Sequence, residues 1–426
     1  MIFDIKMDGS FTRKARLVAD GHKTEPPTSM TYSSVVARDS VRIALTIASL
    51  NCLEISSCDI GNAYLNAPCR EKLKTVAGAE FGSEKGAVMI ISRALYSLKS
   101  SGAAWRPTLA QTMEFLGYKP TQADPDVWIK RATRGDGTPY YKMILIYVDD
   151  VLHLAENPKE DMAELSKLCR LKDGTGEPDR YLGGNIERVQ TQDGSVAWSL
   201  SCHDYLSNAI IQVQADLALK DLKLKEFGTG LRPYPASYRP EMDITPTLNE
   251  EDMNKFQQLI GILRWSIELG RIDILTEVSC LSQHLAEPRD GHLIAVYKIF
   301  KYLDVCLKKD KGRIVFDGKS KFVDNVTFND TNRQEWSEFY KDAEEEFPIN
   351  GPEPLGNPVR LSAYVDANHA GNLKTRRSHT GLLVYMNSAP ILWYSNRQNT
   401  VETSSFGSEY IALRICTEMV EALRYN

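Results

Sequence analysis

The stretch Met143-Ile144-Leu145-Ile146-Tyr147-Val148-Asp149-Asp150-Val151-Leu152-His153-Leu154 sets two adjacent aspartates between two apolar runs, each short enough to be one buried strand. The simplest shape is a hairpin with the acids at its turn. Neighbouring side chains on a continuous strand point to opposite faces, so Asp149 and Asp150 share a site only where the chain bends. Val148 resists such a bend, because β-branching narrows its backbone options, and strain of that kind collects at functional sites. The plainer reading is a solvated turn, since Asp at a hairpin turn is ordinary turn chemistry. Partners elsewhere in the chain decide between the two.

The chain's 426 residues exceed what one core usually serves, so two to four domains are expected. Apolar residues at 42% and charged residues at 25% match a soluble globular chain. No apolar run nears the ~18 residues of a membrane span. The N-terminal Met1-Ile2-Phe3-Asp4-Ile5-Lys6 lacks the basic-then-apolar layout of a secretion signal, and an intracellular protein is expected. Eight cysteines are scattered with no Cys-x-x-Cys pair and no nearby His-x-x-x-His, so they read as reduced, mostly buried thiols and not as a zinc site. A net charge of −5 speaks against a nucleic-acid partner, because phosphate binding needs Lys and Arg. Yet residues 324–353 hold nine acids against Arg333 and Lys341, a local −7 that leaves +2 on the remainder. With Pro348, Pro352 and Pro354 this reads as a solvated linker over 324–357.

A possible partner for the hairpin acids lies 90 residues before Asp149, in Leu53-Glu54-Ile55-Ser56-Ser57-Cys58-Asp59-Ile60-Gly61-Asn62-Ala63-Tyr64-Leu65-Asn66. A strand ending in Asp59 and turning at Gly61-Asn62 into a helix aims that carboxylate off the sheet edge, although a strand-terminal Asp is also an ordinary helix cap. Phe3–Ser10 reads as two short strands about Asp8-Gly9. Arg13–Ala19 then alternates basic and apolar residues, as a solvated strand face or as a phosphate clamp in which Arg supplies a bidentate fork. Ser34–Leu50 and residues 249–307 are helical in pattern. In the second region Asn249 can cap, Phe256, Leu259, Ile260 and Leu263 fall at helical spacing, Gly270 can end the helix, and Ile274–Leu285 and His292–Leu307 are amphipathic. Beyond the linker, Val359–Ala367 alternates as a strand carrying Asp366, with strands at Leu382–Met386 and Ile391–Tyr394 and a helix from about Ser408.

These strings resemble the reverse transcriptases of copia-type long-terminal-repeat retrotransposons over nearly all of the chain. Tyr147-Val148-Asp149-Asp150 looks like their active-site signature, Lys14-Ala15-Arg16-Leu17-Val18-Ala19 like a string of their fingers, and Asp59–Asn66 like their first palm motif. Arg93–Arg106, Ala123–Trp128, Gln258–Trp265 and Leu269–Asp273 are similar to further family strings, and Tyr181-Leu182-Gly183-Gly184 to the loop that grips the primer end. Two positions depart: the family usually has Gly where Ser97 stands, and often Gln where Ser100 stands, a residue that touches the incoming nucleotide or template. Val359–Ala367 and Glu409 with Ala412 resemble ribonuclease H.

The resemblance implies an α+β fold: a right-hand palm, fingers and thumb, followed by a partial ribonuclease H-like α/β domain. The implied domains are fingers and palm over 1–190, a thumb or connection over 191–323 that is largely helical after 249, the acidic linker over 324–357, and the ribonuclease H-like part over 358–426. It implies an RNA-directed DNA polymerase whose catalytic residues are Asp59, Asp149 and Asp150. Asp59 and Asp149 would be ligands to two Mg²⁺ ions, with Mn²⁺ possible, and Lys6, Arg16 and Tyr64 would contact the dNTP. Asp366 and Glu409 would be ribonuclease H-like acids. That family's third and fourth acids are expected downstream, where only Glu418 and Glu421 remain on the same helix, so this part is expected to be truncated. Implied partners are an RNA or DNA template with primer, and the protease, integrase and capsid-like products of a polyprotein, in a cytoplasmic virus-like particle or the nucleus. The alternatives are a catalytically inactive, nucleic-acid-binding relic of such an element and, third, a ribonuclease acting on RNA–DNA hybrids.

Overall fold

The computed structural model describes residues 2–5, 13–19, 21, 24–28, 30–176, 178, 180–191, 193–309, 312–319 and 351–424. Lys6 and the acidic stretch up to residue 350 lie outside them. The fold is mixed α/β with several small sheets. The chain divides into two compact units, Met1–Ser40 with Glu54–Ala132 and Tyr141–Glu177 in one, and Val41–Leu53 with Thr133–Tyr140 and Pro178–Asn426 in the other.

In chain order, β1 (Ile2–Ile5) and β2 (Arg13–Arg16) pair antiparallel, and α1 (Arg38–Leu50) leads into β3 (Glu54–Ile60). A small pair, β4 (Lys74–Val76) and β5 (Val88–Ile90), precedes α2 (Ser101–Phe115). β6 (Lys119–Pro120), β7 (Val127–Thr133), β8 (Pro139–Tyr147), β9 (Asp150–Ala155), α3 (Pro158–Leu168) and β10 (Leu171–Gly176) complete this part. Six strands form one sheet in the order β10-β3-β9-β8-β7-β6. The central hairpin forms as expected, but only one of its two acids sits in the turn: Tyr147 pairs with Asp150, which leaves Val148 and Asp149 as a two-residue turn and Asp150 at the start of β9. Met143, Ile144, Leu145 and Ile146 are all buried, as a strand covered on both faces requires. Cys58, Ile60, Ile144, Ile146 and Val151 pack on one face against Trp105, Leu109 and Met113 of α2 and Met162 and Leu165 of α3. Asp124 reaches back to the start of α1, where one carboxylate oxygen accepts from Ala37 N–H at 2.9 Å and from Ser40 Oγ at 2.7 Å.

A buried polar cluster sits within the same sheet. His153 is fully buried, 3.1 Å from Tyr118 Oη and 3.7 Å from Asp161, which pairs with Lys142 at 2.6 Å. Burial pushes the His153 pKa down to about 4. The native state therefore holds a neutral imidazole, while the unfolded chain takes up a proton near pH 6.5. The resulting stability is present above pH 6.5 and is lost as pH falls toward 4, by about 3 kcal/mol. Urea unfolding of wild type and His153→Gln across that range is expected to give a shallower pH slope in the variant, whose loss of stability between pH 6.5 and 4 is smaller by about 3 kcal/mol. Equal slopes would show that the group titrates normally.

The second unit begins with β11 (Arg180–Tyr181), β12 (Gly184–Gln190), β13 (Val196–Ser201) and α4 (His203–Ala218). α5 (Glu250–Glu268), α6 (Leu275–Ser282), α7 (Asp290–Leu307) and β14 (Arg313–Phe316) follow, and β14 joins the sheet β11-β12-β13-β14. Asn249 caps α5 as expected, its side chain accepting from Asp252 N–H at 2.9 Å, and Gly270 beyond the helix has φ 115°. Leu182 at φ 52° and Gly183 at φ 80° make the tight turn between β11 and β12. Beyond residue 350, β15 (Leu361–Asn368), β16 (His379–Met386) and β17 (Ala389–Arg397) form an antiparallel sheet, and α8 (Ser405–Arg424) packs on its Leu382, Val384 and Met386 face. Strands and helix start two or three residues from where the alternation put them.

All eight cysteines are free, but only Cys58, Cys202 and Cys416 are buried. Cys52 is exposed because it occupies the left-handed turn after α1, at φ 52°, so the expectation of mostly buried thiols holds for three of the eight.

Candidate active site

Two local bends build the site. The strand carrying the first acid runs one residue past Asp59, to Ile60, and then breaks at Asn62, whose φ of 54° starts a short 3-10 turn over Ala63–Asn66. The hairpin turns at Val148, whose φ of 59° is unusual for a β-branched residue. The Trp105 indole N–H donates to the Val148 carbonyl at 2.7 Å and helps hold that turn.

Asp59 pairs with Asp150 across β3 and β9, and directly paired residues of an antiparallel ladder project to the same face. Ile60 N–H donates to the Asp149 carbonyl at 2.8 Å, so the hairpin tip is tied to the end of β3. Burial, then the charges of Asp149 and Asp59, push the Asp150 carboxyl up to about 6. Asp150 therefore feels both other acids at this end of the sheet.

Lys172 was not anticipated as a site residue. It pairs with Asp59 in the β10–β3 register and its Nζ donates to Asp59 Oδ1 at 2.5 Å. Its position depends on a strand pairing that spans 113 residues, which no local pattern announces.

Tyr64 follows the break after β3. Its phenol is shifted up first by burial and then by Asp149, and its ring meets Tyr96 edge-on at 5.3 Å. The Arg16 guanidinium stands 6.0 Å from the Tyr96 ring centre. Arg16, Tyr96 and Tyr64 thus stand in contact one after another, and Tyr64 feels the charge of Asp149. Lys6 lies outside the described residues.

The donor set is carboxylate oxygen, the hard type that Mg²⁺ and Mn²⁺ prefer. Among the described residues no three His, Cys, Asp or Glu side chains stand close enough to enclose one ion. The acids fit an open site, in which substrate and water complete the shell, and not a closed cage. In the second unit Glu409 Oε2 accepts from Ala367 N–H at 3.1 Å, next to Asp366, which lines a cavity of about 320 Å³ with Tyr238, Glu241 and His284.

A family model described as "Reverse transcriptase (RNA-dependent DNA polymerase)" matches residues 2–220, more than half of the chain and all of the elements around the three acids. The chain belongs to this reverse transcriptase family. Relatives are copia-type Pol polyproteins. The Retrovirus-related Pol polyprotein from transposon TNT 1-94 of Nicotiana tabacum is 26% identical over 96% of this chain and 28% of its own length. That from transposon RE1 of Arabidopsis thaliana is 26% identical over 95% of this chain and 24% of its own length. The Putative transposon Ty5-1 protein of Saccharomyces cerevisiae is 24% identical over 83% of this chain and 97% of its own. The chain thus spans about a quarter of the two plant polyproteins. Among the described residues no helix is long and apolar enough to cross a membrane.

Both departures from the reverse transcriptase pattern have a physical consequence. Ser97 has φ 73°, the left-handed region in which glycine is unstrained. Ser97→Gly is expected to stabilise the chain by about 1 kcal/mol, read as a rise of a few degrees in melting temperature. An unchanged or lower midpoint would show that the serine side chain compensates for its backbone. Ser100 is buried and its hydroxyl donates to the Glu71 carboxylate.

Proposed function

We propose that this chain is the RNA-directed DNA polymerase of a copia-type retrotransposon. Its parts would be a palm, fingers and thumb, followed by a ribonuclease H-like part carrying Asp366 and Glu409. The reaction would join a dNTP to a primer 3′-hydroxyl on an RNA or DNA template. The observation that carries this is the pairing of Asp59 with Asp150 beside the turn that holds Asp149. A solvated hairpin turn gives no reason for a third acid, from 90 residues upstream, to stand opposite.

Asp59 and Asp149 would hold two Mg²⁺ ions, or Mn²⁺ in their place. Bound there, such ions lower the pKa of the attacking hydroxyl and neutralise the leaving pyrophosphate. Asp150 keeps the site anionic and stands next to the ligands. Lys172 sits on Asp59 and must yield its oxygen when the acid turns to a ligand role. Tyr64, whose phenol feels the charge of Asp149, would stand against the nucleotide sugar and exclude a 2′-hydroxyl. Arg16, with Lys6, would fork onto the triphosphate at the other end of the same line.

The relatives' names as Pol polyproteins support partners cut from the same polyprotein; in this proposal these would be a protease, an integrase and capsid-like products, in a cytoplasmic particle or the nucleus. A second reading, a nucleic-acid-binding relic without synthesis, is favoured by the strained Ser97 and by Ser100 being tied to Glu71. Primer extension by the purified chain with Mg²⁺ separates the two. Extension on RNA and DNA templates is expected. Salt-sensitive binding of primer–template without extension would leave the relic reading.

A further inference from the structure

Beneath the Val148–Asp149 turn lies a cavity of about 20 Å³ whose walls include Ser34, Trp105, Arg106, Asp126, Ile146 and Val148. Asp126 is only 4% exposed. Its Oδ1 accepts from Arg106 Nε at 3.0 Å, whereas its Oδ2 is buried and meets no donor among the described residues. A carboxylate oxygen sealed away without a donor is costly, and native proteins rarely leave one so. One water needs roughly 10–15 Å³, so the cavity has room for a single molecule, with the Ser34 and Arg106 side chains also on its walls.

The same walls fix the hairpin turn. Asp126 receives Ile146 N–H on its backbone carbonyl at 3.1 Å, and Ile146 in turn receives Val36 N–H at 3.1 Å. On the other side Arg106 grips Asp126, and its neighbour Trp105 donates to the Val148 carbonyl. Asp126 is thus joined to the turn twice, through β8 and through α2. A β-branched residue held at φ 59° needs this kind of surrounding, because strained backbone persists only where its neighbours over-determine it.

We propose that Asp126 is a positioning residue for the catalytic turn. It holds one buried water through Oδ2 and, with Arg106 through Oδ1, keeps Trp105 under the Val148 carbonyl, so that Asp149 stays beside Asp59. The kinetic consequence rests on the polymerase reading above; the structural one does not.

Three measurements on the full chain test it. A high-resolution crystal structure is expected to show a water about 2.6–3.2 Å from Asp126 Oδ2. A cavity without density, or Oδ2 bonded to a protein donor, overturns the proposal. Hydrogen exchange of the Trp105 indole N–H, followed by NMR, is expected to be at least about tenfold faster in Asp126→Leu than in wild type. Exchange at the wild-type rate overturns it. The kcat for extension is expected to fall about thirtyfold in Asp126→Leu with the dNTP KM within about threefold, while Asp126→Asn, which can still bond Arg106 and the water, stays within about threefold of wild type in both. A packing role alone predicts that the similarly sized Leu is tolerated, and that result overturns it. If Asp126→Leu does not fold, Ala110→Val fills the same cavity without touching the ion pair and is expected to speed indole exchange likewise. A wild type without extension would end the polymerase reading, and the exchange and density results would still decide the role of Asp126.

Discussion

Asp149→Asn is expected to lower Mg²⁺-dependent primer extension on the order of a thousandfold, with the fold intact by circular dichroism and primer–template affinity unchanged. The substitution keeps size and hydrogen bonding but removes the charge that a divalent ion needs, and the Asp149 backbone carbonyl still receives Ile60 N–H. Asp150→Asn makes the contrast. Its carboxyl is raised to about 6, by burial first and then by Asp149 and Asp59, so removing that charge in metal-free buffer is expected to stabilise the chain by about 1–2 kcal/mol. Its extension rate is expected to fall far less than that of Asp149→Asn. Equal extension by Asp149→Asn and wild type would remove the acids from the chemistry altogether.

The second large effect is on substrate choice. Tyr64→Val is expected to raise the ribonucleotide-to-deoxyribonucleotide ratio of kcat/KM on the order of a hundredfold, mainly by admitting the ribonucleotide. The effect is steric. The Tyr64 ring is braced edge-on by Tyr96 and lies within the field of Asp149, so it cannot swing aside for an extra hydroxyl without giving up that packing. Single-nucleotide incorporation with matched rNTP and dNTP pairs measures the ratio. A ratio unchanged in the variant would place the sugar elsewhere.

Much of the core of the candidate site was legible because it depends on local pattern. Two apolar runs around adjacent acids specify a hairpin, Gly61-Asn62 specifies a break after β3, and the awkwardness of a β-branched residue in a turn pointed to Val148, which has φ 59°. Asn249 and Gly270 bounded α5 by the same kind of local chemistry. Groups whose roles depend on distant pairing were not legible. The register of β10 against β3 brings Lys172 to Asp59, and nothing around Arg170–Lys172 announces it. Asp124 caps α1 from a loop 84 residues away from Ser40, and Trp105 reaches a carbonyl 43 residues downstream. α4 was not anticipated, although Leu206, Ala209, Ile210, Val213 and Leu217 are buried at helical spacing.

The position of β3 between β10 and β9 also bears on how the chain matures. β8 and β9 are joined by two residues and can zip together within microseconds, whereas β3 must arrive from far upstream and slot in as a non-local neighbour. On topology the hairpin acids are expected to pair before their third companion joins them. A nascent or proteolysed chain that has formed the hairpin but not this closure would carry the signature without the centre, so under the proposed function nucleotide joining is expected only once β3 has paired with β9.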